Sequence, residues 1–473
     1  VFNLKEWIEQ YIEGKKNDLT AISDFIWDHP EIRFEEVESS HKIMDVLRKE
    51  GFEVQKNLAG IPTAFVGEFG TGGPVIAFLG EYDALADLSQ ESGIAEQRPI
   101  VKGDYGHGCG HNLLGVGTLG AALAVKSYLE QNQLSGRVRY YGCPAEEGGS
   151  GKTFMARDGV FDDVDLALTW HPAPMNSVWS FSTLANIQAY FKFKGKSAHA
   201  AAAPHLGRSA LDAVELMNVG VNYLREHMID GARIHYAITD SGGHSPNVVQ
   251  SNAEVLQLIR APRIEQVQSL YERMTKIAEG AALMTGTEVE VVFDKACSNF
   301  IPNHTINTIL GESMMDMGPI PFTSEEQAQA REFQATFTKE DMGSGDMGMD
   351  GMKISGDEPL VEKPLPYMKM DKVMPGSTDV GDVSWIAPTG QIVMTTAAFG
   401  TPLHTWQLVA QGKTSYAHKG MLQVSKVLAL SALKMLENEE LIAQAKNELH
   451  VAVGENGYVS PIPEWVKPNQ KNI

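Results

Sequence analysis

Residues 103–149 read GDYGHGCGHNLLGVGTLGAALAVKSYLEQNQLSGRVRYYGCPAEEGG. A glycine-rich loop closes on His107-Gly-Cys109-Gly-His111, Leu113 to Gln131 has the length and apolar content of a helix, and Arg137 to Gly142 reads as a strand. Just upstream, Pro74 to Leu79 is another strand-like run. Strand, helix and strand in that order predict an α/β layer. Two consecutive carboxylates, Glu146 and Glu147, stand at the end of the second strand with Gly148 and Gly149 behind them. Open α/β sheets bind their ligands at the carboxyl ends of strands, so this is where chemistry is expected.

Toward the N-terminus, Leu4, Trp7, Ile8, Tyr11 and Ile12 stand at helical spacing and predict an opening helix over 4–27, with a second over 36–50. Phe52 to Gln55 and Thr63 to Phe69 are short extended segments, and Gly70 to Gly73 turn the chain toward the strand at Pro74. Downstream, a strand at Asp165 to Thr169 ends at His171 and Pro172. The composition shifts near Ser180. Strands at Leu184–Lys194, Ala232–Thr239, Asn252–Arg260 and Glu288–Phe293, with helices at Ser209–Glu226 and Ile264–Thr285, make a complete small α+β module. From Asn303 helices and loops return, and Ile392 to Ala397 is strand-like again. The expectation is a two-domain α/β protein in which residues 184–298 are inserted into a larger domain built from 1–183 and 299–473. Thr323 to Thr336 reads as a helix in a further insertion; Asp341 to Met352, rich in Gly, Asp and Met, reads as a loop, with a Met-lined contact surface as the alternative.

The length of 473 residues fits two or three domains. Lys plus Arg number 39 against 60 Asp plus Glu, a formal charge of -21, which argues against a surface that seeks nucleic-acid phosphates. With 43% hydrophobic and 21% charged residues the chain is ordinary for a soluble globular protein, and no apolar run approaches the roughly 18 residues of a membrane helix. Val1 to Lys16 is an amphipathic, charged stretch without the features of a signal peptide, so a cytoplasmic protein is expected. Cys109, Cys143 and Cys297 are an odd number and far apart, which argues against a disulfide framework and leaves a thiol free to be a ligand.

A Cys and a His two apart in a flexible loop can aim a thiolate and an imidazole at one metal ion, though a tight loop can also carry them incidentally. Adjacent glutamates are often only a solvated pair, and a lone histidine is often structural. Here, however, Glu146-Glu147, Trp170-His171-Pro172, Pro402-Leu403-His404 and Asp83 all lie at predicted strand ends or in adjoining loops. Gly149-Ser-Gly-Lys-Thr153 resembles the end of a phosphate-binding loop, yet the first glycine that spacing requires falls on Glu146. A Cys109 nucleophile with His111 as its base is a further possibility, but it leaves two histidines and two carboxylates unexplained. A metal site accounts for all of them.

His29-Pro-Glu31, Tyr82-Asp83-Ala-Leu85, His107-Gly-Cys109-Gly-His111, Pro144-Ala-Glu146-Glu147-Gly-Gly149, Trp170-His171-Pro172, Ser197-Ala-His199-Ala200 and Pro402-Leu-His404 follow one another in an order that resembles the M20 amidohydrolases and metallopeptidases, and within them the subfamily, lettered D, that hydrolyses N-acyl amino acids. The chain departs from the typical subfamily pattern at Asn112, Leu113 and Leu114, where Asp-x-His is usual. The resemblance implies an α/β metallohydrolase catalytic domain with an inserted α+β lid and dimerisation domain. It implies two divalent metal ions, Mn or Zn, held by Cys109, His111, Glu147, His171 and His404, with Glu146 as general base and Asp83 orienting a ligand. It further implies that His199 completes a partner subunit's site by stabilising the oxyanion, and that Asn247 and Arg260 hold a substrate carboxylate, Arg263 being the rival of Arg260. His205, His244 and His418 match no role. The implied substrate is an N-acyl or aroyl amino acid, p-aminobenzoyl-glutamate foremost. A dipeptidase or deacylase is the alternative enzyme, and a metal-binding scaffold subunit the alternative without catalysis. The implied partner is a second copy through the lid or a related A-type subunit; neither nucleic acid nor membrane is expected.

Overall fold

A computed structural model describes residues 3–344 and 358–468. The first stretch runs α1 (Leu4–Asp28), α2 (Val37–Lys49), β1 (Glu53–Lys56), β2 (Phe65–Thr71), β3 (Val75–Gly80), α3 (His111–Asn132), β4 (Gly136–Gly142), α4 (Gly151–Arg157), β5 (Leu166–Ala173), β6 (Ser177–Val178) and β7 (Ser182–Thr183). The opening helix forms because Ile8, Ile12, Leu19, Ile22 and Ile26 make one buried stripe at helical spacing. Of the boundaries that differ from those the sequence predicts, two bear on the strand-end crevice. The long helix starts at His111, two residues before Leu113, because Gly110 takes a left-handed φ of 71° and turns the chain straight into it. The strand expected to stop at Thr169 runs on through His171 to Ala173, because the parallel strand Thr389–Thr395 lies alongside it in register to the end.

The next stretch is β8 (Ala185–Lys194), α5 (Ala210–Leu224), β9 (Arg233–Asp240), β10 (Asn252–Ala261), α6 (Ile264–Thr285) and β11 (Glu288–Cys297). Its four strands form an antiparallel sheet in the order β11-β8-β10-β9. Along β10 the burial alternates: Ala253, Val255, Ile259 and Ala261 enter the core while Arg260 faces the other way. Ser209 caps α5 by accepting from Asp212 N at 3.0 Å.

The last stretch is α7 (His304–Met317), α8 (Ser324–Gln334), α9 (Lys339–Ser344), β12 (Val373–Met374), α10 (Val380–Ser384), β13 (Thr389–Thr395), α11 (Trp406–Gln411), α12 (Ser415–Leu436) and α13 (Glu439–Val453). Helix α8 begins where Thr323 and Glu326 form a reciprocal capping box. The segment expected to be a loop from Asp341 onward instead begins inside α9. Thr338 and Asp341 exchange hydrogen bonds that start that helix, and 345–352 lie outside the described residues.

The large sheet has the order β1-β2-β4-β3-β5-β13-β6. Strands β4, β3, β5 and β13 are parallel, and β1, β2 and β6 run antiparallel to their neighbours. From β3 the chain goes to β4 on one side and later to β5 on the other, so the carboxyl ends of all three open onto one crevice. Helix α3, buried on every side from His111 to Val125, packs against α1, α12 and one face of this sheet. Helix α4 covers the opposite face, in a core continuous with the small sheet. Among the described residues no helix is long and apolar enough to cross a membrane.

Candidate active site

The crevice at the ends of β3, β4, β5 and β13 gathers the ligand-type residues. Gly110 must be glycine: besides its left-handed φ, a Cβ there would meet Pro172 Cγ at 2.9 Å. The tight turn places Cys109 and His111 under the end of β5, with Cys109 Sγ 3.4 Å from His171 Nε2. His111 Nδ1 donates to Asp83 Oδ1 at 2.8 Å, while Asp83 Oδ2 accepts from Glu147 N at 2.8 Å. Asp83 therefore fixes the tautomer of His111 and the backbone beneath Glu147 together. His171 Nδ1 lies 2.8 Å from Pro172 O, so its Nε2 is the atom left to face the crevice. His404 Nε2 lies 3.2 Å from Glu147 Oε2. His404 and Ala145 both adopt φ of 59°, strained values for residues with a Cβ, of the kind that collect at functional sites. His107 of the same loop points elsewhere: its Nε2 bonds Ile26 O at 3.1 Å and anchors the loop to α1.

Three triads have ligand atoms mutually within 4.8 Å: Cys109, His111 and His171; Cys109, Glu147 and His404; and Glu81, His111 and Glu146. Cys109 belongs to the first two, so its sulfur stands where two adjoining sites would share a ligand. Among the described residues His111 Nε2 and Glu147 Oε1 are buried without a hydrogen-bond partner, and they lie 3.8 Å apart. Buried polar atoms rarely stay unpaired, and a soft thiolate among imidazoles and carboxylates is a donor set for divalent metal. The residues fit such a group.

The two adjacent glutamates sit in opposite electrostatic states. Burial, with the charges of Glu81 and Glu147 beside it, pushes the Glu146 carboxyl well above the usual range. Burial acts on Glu147 in the same direction, but the hydrogen bond from His404 and the neighbouring His111 hold it at about 2. Environments that push neighbouring acids apart divide them into a proton carrier and a permanent anion.

Sequence reasoning missed three residues here. Glu81 Oε2 lies 3.2 Å from His111 Nε2, and its Oε1 accepts from Lys152 Nζ at 2.5 Å. Lys152 is fully buried and also donates to Asp379 Oδ1 at 2.8 Å. The lysine of the phosphate-loop look-alike is thus consumed by two carboxylates. Glu81 had a signal, two residues before Asp83 at a strand end; Asp379 had none, lying 227 residues from Lys152.

On the side of the small sheet the crevice becomes a cleft of about 300 Å³. Arg260 lines it and donates to Ser377 Oγ at 2.8 Å, whereas the rival Arg263 is exposed at the N-cap of α6. His199 and Asn247 are not among the cleft's lining residues. Both are exposed, on neighbouring segments joined where Ala200 N donates to Asn247 O at 2.9 Å. Within one chain the structure gathers Glu146, Asp83, Cys109, His111, Glu147, His171, His404 and Arg260, and leaves His199 and Asn247 apart from them.

The sequence model of peptidase family M20/M25/M40 matches residues 77–316. The chain is 51% identical over 475 residues to the B-type subunit of p-aminobenzoyl-glutamate hydrolase of Escherichia coli strain K12, the match covering 98% of each chain. It is 28% identical over 461 residues to the Xaa-Arg dipeptidase of Mus musculus, covering 94% of this chain and 92% of that one. The crystal structure of the YXEP protein of Bacillus subtilis, described as a dinuclear metal binding peptidase of the M20 family, superposes with a TM-score of 0.57 at 19% identity. That superposition covers 90% of this chain and 99% of that one.

Proposed function

The chain belongs to peptidase family M20/M25/M40, and on that premise we propose that it hydrolyses the amide bond between an aroyl or acyl group and an amino acid, with p-aminobenzoyl-glutamate as its substrate. One observation carries the reading. Glu146 and Glu147 leave the same strand end, yet Glu147 is engaged by His404 while Glu146 accepts no hydrogen bond among the described residues and lines the cleft. A hydrolase needs one carboxylate fixed and one free.

Cys109, His111, Glu147, His171 and His404 would hold two divalent metal ions, Mn or Zn, which when bound supply the Lewis acidity that polarises a carbonyl and makes water acidic near neutral pH. Glu146 takes the proton of the attacking water and delivers it to the leaving nitrogen. Asp83 holds the His111 ring in place through the 2.8 Å bond. Arg260 holds the amino acid's carboxylate in the cleft. His199 and Asn247 act on a partner molecule's substrate, brought there by residues 184–298 as a lid between the two catalytic segments. This is supported by their exposure and by apolar side chains exposed on the same unit: Leu216, Val219 and Tyr223 on α5, and Tyr236 and Ile238 on the edge strand β9. The lid's partner is a second copy of the chain, with a related A-type subunit as the other candidate, in keeping with the naming of the Escherichia coli relative as one subunit of a hydrolase.

The test is amine release from p-aminobenzoyl-glutamate, N-acetyl amino acids and Xaa-Arg dipeptides, assayed side by side on the chain reconstituted with Mn or Zn. Preference for the aroyl conjugate by kcat/KM upholds the proposal. Preference for the dipeptides makes the chain a dipeptidase, and no hydrolysis with full metal content makes it a scaffold.

A further inference from the structure

The small sheet offers the cleft a second cation that the chemistry above does not use. On β11, Val289, Val291 and Phe293 pack toward the helical side of the sheet, Phe293 edge-on against Tyr271 of α6. The register then slips between Phe293 and Lys295, leaving Asp294 as the extra residue. Beyond the slip Ala296 takes over the core face, and Lys295 and Cys297 line the cleft. Bulges re-aim side chains in this way. Asp294 does not neutralise its neighbour, being bonded to Arg33 at 3.0 Å and to Gln188 at 2.7 Å.

Lys295 is 8% exposed, and among the described residues its ammonium makes no hydrogen bond or ion pair. Asn186 of β8 is the cross-strand neighbour of both Arg260 and Cys297, and Lys295 stands opposite Gln188, the next residue on that face. Strand spacing then puts the Cα atoms of Arg260 and Lys295 roughly 12 Å apart, a gap that two long side chains close to the span of one small dianion. Trp179 Nε1 and Gln391 Nε2, buried donors of two residues that line the same cleft, have no hydrogen-bond partner among the described residues. Arg260 and Lys295 enter the cleft from the small sheet, and Glu81, Glu146 and Glu147 from the strand ends of the large one.

We propose that Lys295 is a specificity-determining residue that holds the side-chain carboxylate of a dicarboxylic amino acid of glutamate's length, while Arg260 holds its α-carboxylate. This rests on the amidohydrolase reading and names the amino-acid side of the scissile bond. An ammonium on the cleft wall with no ion pair among the described residues gains a charge-assisted hydrogen bond from an incoming carboxylate, which an amide of the same shape does not supply at full strength.

The experiment compares p-aminobenzoyl conjugates of glutamate, glutamine and alanine on the metal-loaded full chain, together with Lys295→Met and Lys295→Arg. The wild type is expected to favour glutamate over glutamine by roughly 10- to 100-fold in kcat/KM, the value of one charge-assisted hydrogen bond. Lys295→Met should erase that ratio through KM, and Lys295→Arg should keep most of it. Survival of the ratio in Lys295→Met, or its absence in the wild type, overturns the proposal. Competition binding and thermal shift with free glutamate and glutamine decide the same question without turnover. If the wild type cleaves none of the conjugates, the substrate reading falls, yet tighter glutamate binding that depends on Lys295 still upholds the subsite and equal binding of the two amino acids overturns it.

Discussion

Glu146 and Glu147 share a peptide bond and little else. One is tied to His404 at 3.2 Å and held at about 2; the other is largely buried, accepts no hydrogen bond among the described residues and is pushed up. Glu146→Gln should keep full metal content by elemental analysis while kcat falls ~10²- to 10⁴-fold, the usual worth of a positioned base. Glu147→Gln should instead lose metal, and the reverse pattern would exchange the two roles. These residues were legible in the sequence because the loops that carry them are short and adjoin strand ends. Glu81, Lys152 and Asp379 were not, because their ion pairs join positions 71 and 227 residues apart, a proximity that local pattern does not encode.

Among the elements, α3 shows how packing constrains a helix whose propensity is ordinary. Its glycines let neighbours approach: a Cβ on Gly117 would stand 2.7 Å from both Trp170 Nε1 and Val424 Cγ1. Gly117→Ala should therefore lower stability by ~1–3 kcal/mol, the cost of overpacking, despite alanine's better helix propensity. Denaturant unfolding would show it, and a stabilised variant would contradict the packing. The helix and its length were readable from an apolar run. Its start at His111 was not, because the left-handed turn at Gly110 depends on the approach of Pro172 from another strand. The passage of β5 through His171 likewise depends on a strand more than 200 residues downstream.

At the scale of the molecule, Asp382 of α10 gathers distant segments. Its carboxylate accepts from Thr153 of α4, from the backbone and hydroxyl of Ser298, and from Tyr458 near the C-terminal end. Burial pushes it up to about 6 in spite of these bonds. The folded value lies above the ordinary carboxyl value of 3.8, so this group's contribution to stability rises as pH falls from about 6 toward 4 and is least favourable above 6, where the buried charge leans on its donors. Tyr458→Phe should cost ~1–2 kcal/mol at pH 8 and clearly less at pH 5, by chemical unfolding at the two pH values. An equal loss at both would detach Tyr458 from the charge of Asp382. Between molecules, the proposed role of His199 predicts that His199→Ala and Glu146→Gln proteins, each nearly inactive, regain activity when mixed, since some mixed dimers carry one intact site. Loss of an oxyanion donor is worth ~10²- to 10³-fold, so even partial recovery is measurable. No recovery after demonstrated subunit exchange would place His199 outside catalysis.

The alternation of helices and strands, the small α+β module and the ligand-type residues at strand ends are all readable from local pattern. Hydrophobic period and glycine-rich turns are local properties, and ligand-type side chains at such ends mark a crevice whatever surrounds them. That Arg260 rather than Arg263 lines the cleft, that Lys152 is paired with Glu81 and Asp379, and that a slip at Asp294 turns Lys295 toward the cleft follow from the folded chain alone. Each of these depends on which strand lies beside which and in what register. Cross-strand register is fixed by the packing of whole faces, and it carries no mark at the residue it redirects.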